Sequence, residues 1–523
     1  MKIWLVSREY AGIAEAGGVK NVACSLAENL AKLGHSVTLF IPLYACSDLS
    51  NVKDYKCFWH SPVEVFVEQK QIVVSFGHGS LNNVQIVFIG NTAFSEKHAV
   101  YTYTMEEELK NPLHKKGEGH KDVKFLNTLF QKAVASYGKT CDIQENPDVI
   151  HCQDAPTAML PAFINQIKKT DKFCSEFYKN TKCIVTIHNA GAAYHHEFAN
   201  IDEASYFTSL PEKILSYGNN NGRIEPFLVA SQFAQLTTVS PQYAKEILLD
   251  YVETDGLGEQ FRNKKISILG ITNGIDFDKY DPQDTKKSCL PFSFNPEKCD
   301  LDGKYKCREF FFKNYAFQNA NKINELKEIE RFSYLLNIDD KTVIIAYHGR
   351  VVQQKGIDVM FQCAMNILSN VENVKFVFAG QGSPELEQSL INIANMFPGK
   401  CVYFRGYNKM LSRLCVASAD FSLHTSYFEP CGLEDFTSQT YGTIPVAHAT
   451  GGLCKIVNGR TGFLYKPNDA ANLIKILKSL ITLTQSTEKE FLKPIIQYAS
   501  YYIHKNFPWD KVVQNEYLKL YKK

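Results

Sequence analysis

The 523-residue chain has no long run of one charge and almost no net charge: 57 Lys and Arg stand against 55 Asp and Glu, a formal +2. It therefore lacks the electrostatic footprint of a nucleic-acid binder or an anionic-membrane binder, and no nucleic acid and no membrane are expected among its partners. Its fifteen cysteines are odd in number and nowhere at CxxC spacing. That pattern argues against a disulfide framework and for reduced thiols in a cytoplasmic protein. No apolar stretch approaches the roughly 20 residues of a membrane span, and the opening Lys2–Val6 run is too short for a signal core before Arg8 and Glu9. No short repeat appears at solenoid periods. What remains is an ordinary globular composition, 45% hydrophobic and 21% charged. It predicts a soluble protein of two or three domains with small-molecule or neutral-polymer partners.

Strand and helix patterns alternate. Ile3 to Val6 reads as a buried strand, and Gly17 to Leu33 as a helix with Val19, Val22, Ala23, Leu26 and Leu30 on one face. Ser36 to Ile41 is the next strand, and apolar strands recur at Asp148–His151, Cys183–Ile187 and Leu236–Val239. This is βαβ patterning, which implies a parallel sheet covered on both faces. A less regular stretch with Pro282, Pro291, Pro296 and the charged run Lys304 to Arg308 reads as a connector with helices. A second alternating series then runs from Thr342, with strands at Thr342–Tyr347, Val374–Ala379, Val402–Phe404, Phe421–His424 and Ile444–Val446. The expected organisation is a first Rossmann-like domain over 1–270, a connector over 271–335, a second Rossmann-like domain over 336–500 and a terminal helix over 501–523. In such α/β sheets ligands bind outside the carboxyl ends of the strands, here in the cleft expected between the domains.

Candidate chemistry gathers at those strand ends. Arg350 follows Tyr347-His348-Gly349, and Lys355 follows in the loop before a helix, so two cations are available for a diphosphate. Arg supplies a planar fork and Lys a compact charge for the negative charge that develops as a nucleoside diphosphate departs. An isolated Arg-x4-Lys is more readily a solvated pair; the downstream segments tip the balance. Glu429, set in Phe428-Glu429-Pro430-Cys431-Gly432-Leu433, can accept from sugar hydroxyls, or simply favour a helix dipole. The backbone at Gly432 and Leu433 and at Thr450-Gly451-Gly452-Leu453 can donate to ribose or phosphate at a helix start. Cys431 reads as packing beside the site rather than as a nucleophile. In the first domain Gly17 and Gly18 permit a close approach of backbone to ligand. His188 is as well explained by a satisfied core imidazole as by a sugar contact. Asp154 can bind a hydroxyl or cap a helix, and Asn273-Gly274 reads first as a turn. His195 and His196 beside His188 match no standard ligand spacing, so no metal and no cofactor are expected.

Together these motifs resemble one family over nearly the whole chain: bacterial glycogen synthases and plant starch synthases, retaining glucosyltransferases. The resemblance runs through the opening strand, glycine turn and helix of residues 1–22, Leu33-Gly34-His35-Ser36-Val37, Asp148 to Asp154, Thr186 to Asn189, and Thr237-Thr238-Val239-Ser240-Pro241. It continues through Thr272 to Asp276, Arg350 with Gln354-Lys355-Gly356, Phe428 to Leu433, Thr450 to Leu453 and the closing Phe507-Pro508-Trp509. It implies the GT-B fold, two doubly wound Rossmann-like domains facing across a cleft, with the terminal helix crossing back to the first. It also implies glucose transfer from a nucleoside diphosphate glucose to the nonreducing end of an α-1,4-glucan, with retention. ADP-glucose is the expected donor and UDP-glucose the alternative.

By the matching positions, Arg350, Lys355, Glu429 and His188 form the catalytic group. Gly17, Gly18, Asp154, Asn273, Cys431, Gly432, Leu433, Thr450, Gly451 and Gly452 bind substrate. Where the family has Lys-Thr-Gly-Gly-Leu this chain has Glu15-Ala16-Gly17-Gly18-Val19, a carboxylate in place of a phosphate-contacting lysine. A cation in the first helical turn runs against the helix dipole unless an anion is near, which makes Lys20 the candidate compensating cation. Tyr427 replaces the usual arginine, Lys455 an aspartate, and Ala155-Pro156 the usual Trp-His. A noncatalytic glycan-binding homologue and a glycosyltransferase with another acceptor stay open as alternatives.

Overall fold

The structure is a computed structural model that describes residues 1–57, 62–249 and 254–522; Lys523, the last residue of the expected terminal helix, lies outside them. The chain divides into two compact units, Met1–Asn273 with Trp509–Lys523 and Gly274–Pro508.

The first unit is built on one sheet. Its strands are β1 (Lys2–Val6), β2 (Ser36–Pro42), β3 (Lys53–Lys56), β4 (Val63–Val67), β5 (Lys70–Leu81), β6 (Val84–Gly90), β7 (Val149–Gln153), β8 (Lys182–Ile187), β11 (Gln235–Thr238) and β12 (Ile268–Gly270), while β9 (Asn219–Asn220) and β10 (Arg223–Ile224) form a separate small ladder. The order is β12-β11-β8-β7-β1-β2-β6-β5-β3, parallel from β12 to β6. Ile3 pairs with Val37 on one side and Val149 on the other. The strand order therefore reverses at β1, and in open α/β sheets ligands sit outside the carboxyl ends of the strands at such a reversal, here β1, β7 and β8. The antiparallel extension β3–β6 has no counterpart in the βαβ reading. Within it β4 and much of β5 alternate buried and more exposed residues, as a partly solvated antiparallel sheet does.

The β1 strand is fully buried after Lys2, and Trp4 sits in an aromatic cluster with Phe40, Tyr137, Phe177 and Tyr178. The helix Val19–Lys32 covers the sheet with Val22, Ala23, Leu26 and Leu30. The carboxyl-terminal residues close the unit. Buried His151 spans from the Tyr521 hydroxyl (2.8 Å) to Thr186 Oγ1 (2.7 Å), and Lys182 Nζ donates to the Leu520 carbonyl at 2.7 Å. The preceding helix Leu492–Asn506 belongs to the second unit, so the return to the first begins at Trp509.

The second unit carries β13 (Glu330–Leu335), β14 (Val343–His348), β15 (Val374–Gly380), β16 (Lys400–Arg405), β17 (Phe421–His424), β18 (Ile444–His448) and β19 (Phe463–Tyr465), in the order β13-β16-β15-β14-β17-β18-β19. All pairs are parallel except β13 with β16. The reversal falls between β14 and β17. From Gly274 on, the stretch 271–335, which reads as a connector, is packed into this unit: Leu290, Phe294, Cys307 and Phe311 lie in the core with Ile344, Val402 and Phe404. Its charged run is internal as well. Lys304 Nζ donates to the carbonyls of Ala417, Ala419 and Tyr441 and to Thr443 Oγ1, and Arg308 binds Asp420 at 2.6 Å. Buried polar groups of this kind persist only with hydrogen-bond partners, and Arg308 also donates to the Ser418 carbonyl. All fifteen cysteines are unpaired. Among the described residues no helix is long and apolar enough to cross a membrane.

Candidate active site

In the second unit the carboxyl ends of β14, β17 and β18 bring the predicted residues together. After β14 the chain passes exposed Arg350, whose guanidinium reaches Gln354 Oε1 at 3.3 Å, and turns through Gln353–Lys355. Gly356 ends that turn at φ +63°, and a Cβ there would lie 2.0 Å from the Thr425 carbonyl oxygen. Only glycine permits the approach. Thr425 completes the contact, its hydroxyl donating to the carbonyls of Lys355 and Gly356 at 2.8 and 3.0 Å. The two loops are laced further by Tyr427 N–H to the Gln354 carbonyl and by Gln354 Nε2 to the Phe428 carbonyl.

This lacing brings Lys355 Nζ to 2.6 Å from Glu429 Oε2, which also accepts from Ser426 Oγ at 2.8 Å. Both side chains are nearly buried, at 12% and 11% exposure. Burial works against the ammonium charge of Lys355, but Glu429 and Glu434 outweigh it and hold its pKa above the ordinary lysine value. Glu434 opens the helix Glu434–Thr440. Burial opposes its charge, yet Lys355, His348 and His424 bring its carboxyl down to about 2. His424 is itself pushed down to about 3, chiefly by burial, and is neutral.

The glycine turn after β18 is bound to the same segment. Gly452 N–H donates to the Glu429 carbonyl at 2.8 Å, and a Cβ on Gly452 would meet the Cys431 carbonyl oxygen at 1.9 Å. That N–H therefore braces protein rather than facing a ligand. Gly451 and Thr450 begin the short turn Gly451–Lys455, with Leu453 buried behind them. Gly432, at φ +71°, and Leu433 lead into the Glu434–Thr440 helix, and Cys431 is buried. Lys455 Nζ binds the carbonyls of Cys431, Gly432 and Gly452 and Asp435 Oδ1, all within 3.0 Å. It holds both segments in one frame. Tyr427 is similarly accounted for, its hydroxyl donating to Asp358 Oδ2 at 2.5 Å.

In the first unit the carboxyl ends of β1, β7 and β8 carry a second set. Gly17 is occupied from within: Glu9 Oε2 accepts from the N–H groups of Ala16 (3.1 Å) and Gly17 (2.5 Å), and a Cβ on Gly17 would touch Glu9 Oε1 at 3.1 Å. A carboxylate thus sits where an anion would. Burial raises its pKa, opposed by those backbone N–H groups and by Lys20. Gly18 instead faces open space and caps the Val19–Lys32 helix. Glu15 Oε1 accepts from Gly12 N–H at 2.8 Å and its Oε2 pairs with Lys20 Nζ at 2.5 Å.

Asp154 follows β7 at φ +66°, and its Oδ1 accepts from His188 N–H at 3.2 Å. Burial raises its pKa to about 7. The His188 ring, at the end of β8, lies 2.8 Å from Gln153 Oε1 through Nε2, and burial lowers its pKa to about 4, so the imidazole is neutral. Asn273 follows β12, separated from β8 by β11, and its buried Oδ1 has no partner among the described residues. Sequence reasoning passed over Glu9, Gln153, Ser426, Glu434 and the bracing role of Lys455. An acid at a helix start was the available signal for Glu434; Glu9 lies eight residues before Gly17 and carries no such local signal.

The two strand-reversal sites are accompanied by family matches along the chain. The starch synthase catalytic domain family matches residues 2–263, and glycosyl transferases group 1 matches residues 328–499. The chain belongs to the starch synthase family. It is 29% identical to a glycogen synthase of Thermodesulfovibrio yellowstonii over 100% of this chain and 97% of that one. It is 30% identical to a glycogen synthase of Kosmotoga olearia over 100% and 98%. The fold is GT-B. It matches the catalytic domain of starch synthase IV from Arabidopsis thaliana, solved with ADP and acarbose, at a TM-score of 0.78 with 22% identity, covering 100% and 98% of the two chains.

Proposed function

We propose that this starch synthase family member transfers glucose from ADP-glucose to the nonreducing 4-hydroxyl of an α-1,4-glucan, with retention. The observation that carries the reading is the Lys355–Glu429 pair, 2.6 Å apart and sheltered from water at the β14/β17 reversal. A sheltered lysine kept charged suits the leaving diphosphate, and a carboxylate beside it suits the hydroxyls of the transferred sugar. Arg350 is exposed and, on release of its 3.3 Å contact with Gln354, can reach the second phosphate.

In this reading the bond from C1 to the diphosphate oxygen breaks, the acceptor O4 bonds to C1 on the same face, and the acceptor proton passes to the departing phosphate. Neutral His188 and Asp154 contact the glucose hydroxyls, and the orphaned Asn273 Oδ1 accepts from a sugar hydroxyl. Gly18, Gly432, Leu433, Thr450 and Gly451 line the donor, with Gly17, Cys431 and Gly452 holding that lining in shape. Lys20 is the compensating cation, and its pairing with Glu15 neutralises the carboxylate that stands in place of the family lysine. The unpaired cysteines support a reducing, cytoplasmic setting.

The test is an assay of the purified chain with ADP-glucose and UDP-glucose, with and without glycogen. Transfer to glycogen, faster from ADP-glucose, is the expected result. Tight glycogen binding without transfer from either donor would instead support a noncatalytic glycan-binding protein.

A further inference from the structure

Beyond the strand-end residues, the first unit holds a cluster that the transfer reaction does not use. We propose that His195, Glu197 and Glu225 form a divalent-cation site of the zinc class. One ligand atom from each residue lies within 4.8 Å of the other two, and His195 Nδ1, Glu197 Oε2 and Glu225 Oε2 are the candidates. All three atoms are buried and without a hydrogen-bond partner among the described residues. His195 is 1% exposed and Glu225 0%. His195 Nδ1 and Glu225 Oε2 are 3.3 Å apart, close to the roughly 3.3–3.4 Å between two tetrahedral ligands held about 2.0–2.1 Å from zinc.

The surroundings leave just these atoms pointing inward. His195 Nε2 is 2.7 Å from the Ala190 carbonyl, to which it can only donate, so in the neutral ring Nδ1 holds a lone pair. Glu225 Oε1 accepts from Phe227 N–H at 3.1 Å, which leaves Oε2. Glu197 Oε1 accepts from Arg223 at 2.6 Å, which leaves its Oε2, and Arg223 is held in turn by Asp255 at 2.6 Å. Each ligand is thus oriented by a second partner, as metal-binding histidines and carboxylates are. Three acceptors converging in a buried space are costly unless a cation or a proton lies among them. One imidazole and two carboxylates match a divalent ion in donor type and in charge, with a position left for water.

The fold brings the residues together by two local devices. His196 at φ +53° turns the chain between His195 and Glu197. Phe198 then pairs with Ile224 through two backbone hydrogen bonds of 3.0 and 2.9 Å, which sets Glu197 beside Glu225. An ion here would tie down the loop that runs on from His188.

The test uses the full-length protein, stripped with a chelator and titrated with zinc against a chromogenic competitor. One equivalent is expected to bind. Glu197→Gln, at the more accessible ligand, and His195→Asn should each lose affinity by at least the roughly 10–100-fold that loss of a supporting partner costs. Cobalt(II) supplies a second reading that needs no variant of Glu225: the intense visible bands of four-coordinate cobalt with N and O donors are expected. Wild-type protein that binds no more zinc than Glu197→Gln overturns the proposal, since a proton shared by His195 and Glu225 then suffices. Cobalt bands of thiolate charge transfer that persist in both variants also overturn it, by placing the ion on cysteines.

Discussion

The two glycine turns look alike in sequence and behave differently in structure. In Thr450-Gly451-Gly452-Leu453 both glycines are constrained, Gly451 by its φ of +45° and Gly452 by the Cys431 carbonyl, which leaves no room for a Cβ. In Ala16-Gly17-Gly18-Val19 the first glycine is constrained, by a carboxylate side chain, and the second faces open space. The second-unit turn is locked to backbone and to Lys455. The first-unit turn is held by Glu9, Glu15 and Lys20, charged side chains at a partly exposed loop. Backbone hydrogen bonds and the buried Lys455 are little affected by salt, whereas a partly exposed charged pair such as Glu15–Lys20 is weakened by it. The same dipeptide is thus braced by backbone and Lys455 in one unit and by acidic side chains in the other.

The largest expected effect tests the rigid side. Lys355→Ala should lower kcat by about 10²–10³, the loss typical of one preorganised donor to a developing oxyanion, with thermal stability reported alongside to separate chemistry from folding. A KM effect alone would show that the lysine binds substrate and transition state equally.

Next come the glycines. Gly452→Ala should destabilise by about 3 kcal/mol or more in denaturant melts, because backbone must move. Gly18→Ala, at φ −82° with nothing near, should stay within about 0.5 kcal/mol of wild type. Equal costs for the two would erase the contrast between the turns.

Lys20→Ala should raise the donor KM about two- to fivefold, the range of a partly exposed ion pair, and the effect should shrink in high salt. An unchanged KM would remove Lys20 from the donor site.

The smallest effect is in pH dependence. Asp154, raised by burial to about 7, keeps its proton in the fold where the unfolded chain has lost it, so its contribution to stability falls as pH rises from about 4 to about 7. His188, lowered by burial to about 4, works in the opposite sense: its contribution is present above about 6.5 and lost as pH falls toward 4. The two oppose each other in wild type. Melting temperature against pH should therefore rise more steeply between 4 and 6.5 in Asp154→Asn than in wild type. A parallel curve would show that Asp154 is ionised in the fold.

The parallel strands were legible because buried β-branched runs bounded by turns have few other readings, as at Ile3–Val6 and Ile444–Val446. The residues after them were legible as candidates because ligand chemistry collects at strand ends. The antiparallel extension β3–β6 was not, since its alternation is interrupted by Gly77 and Gly79 and its partners are set by tertiary pairing. Nor was the fate of the run Lys304 to Arg308. Its charges read as solvated, yet its lysine finds four acceptors from segments more than a hundred residues away.

By itself the sequence determined the alternation of elements, the two-unit architecture and the family, because periodicity and ordered motifs are properties of local chain. Tertiary structure decided which polar atoms are already used. Gly17 and Gly452 proved to donate to Glu9 and Glu429, Lys455 to brace two loops, and His195, Glu197 and Glu225 to converge. A motif names a donor or an acceptor, but its availability depends on what folding sets within hydrogen-bond distance, and those partners come from elsewhere in the chain.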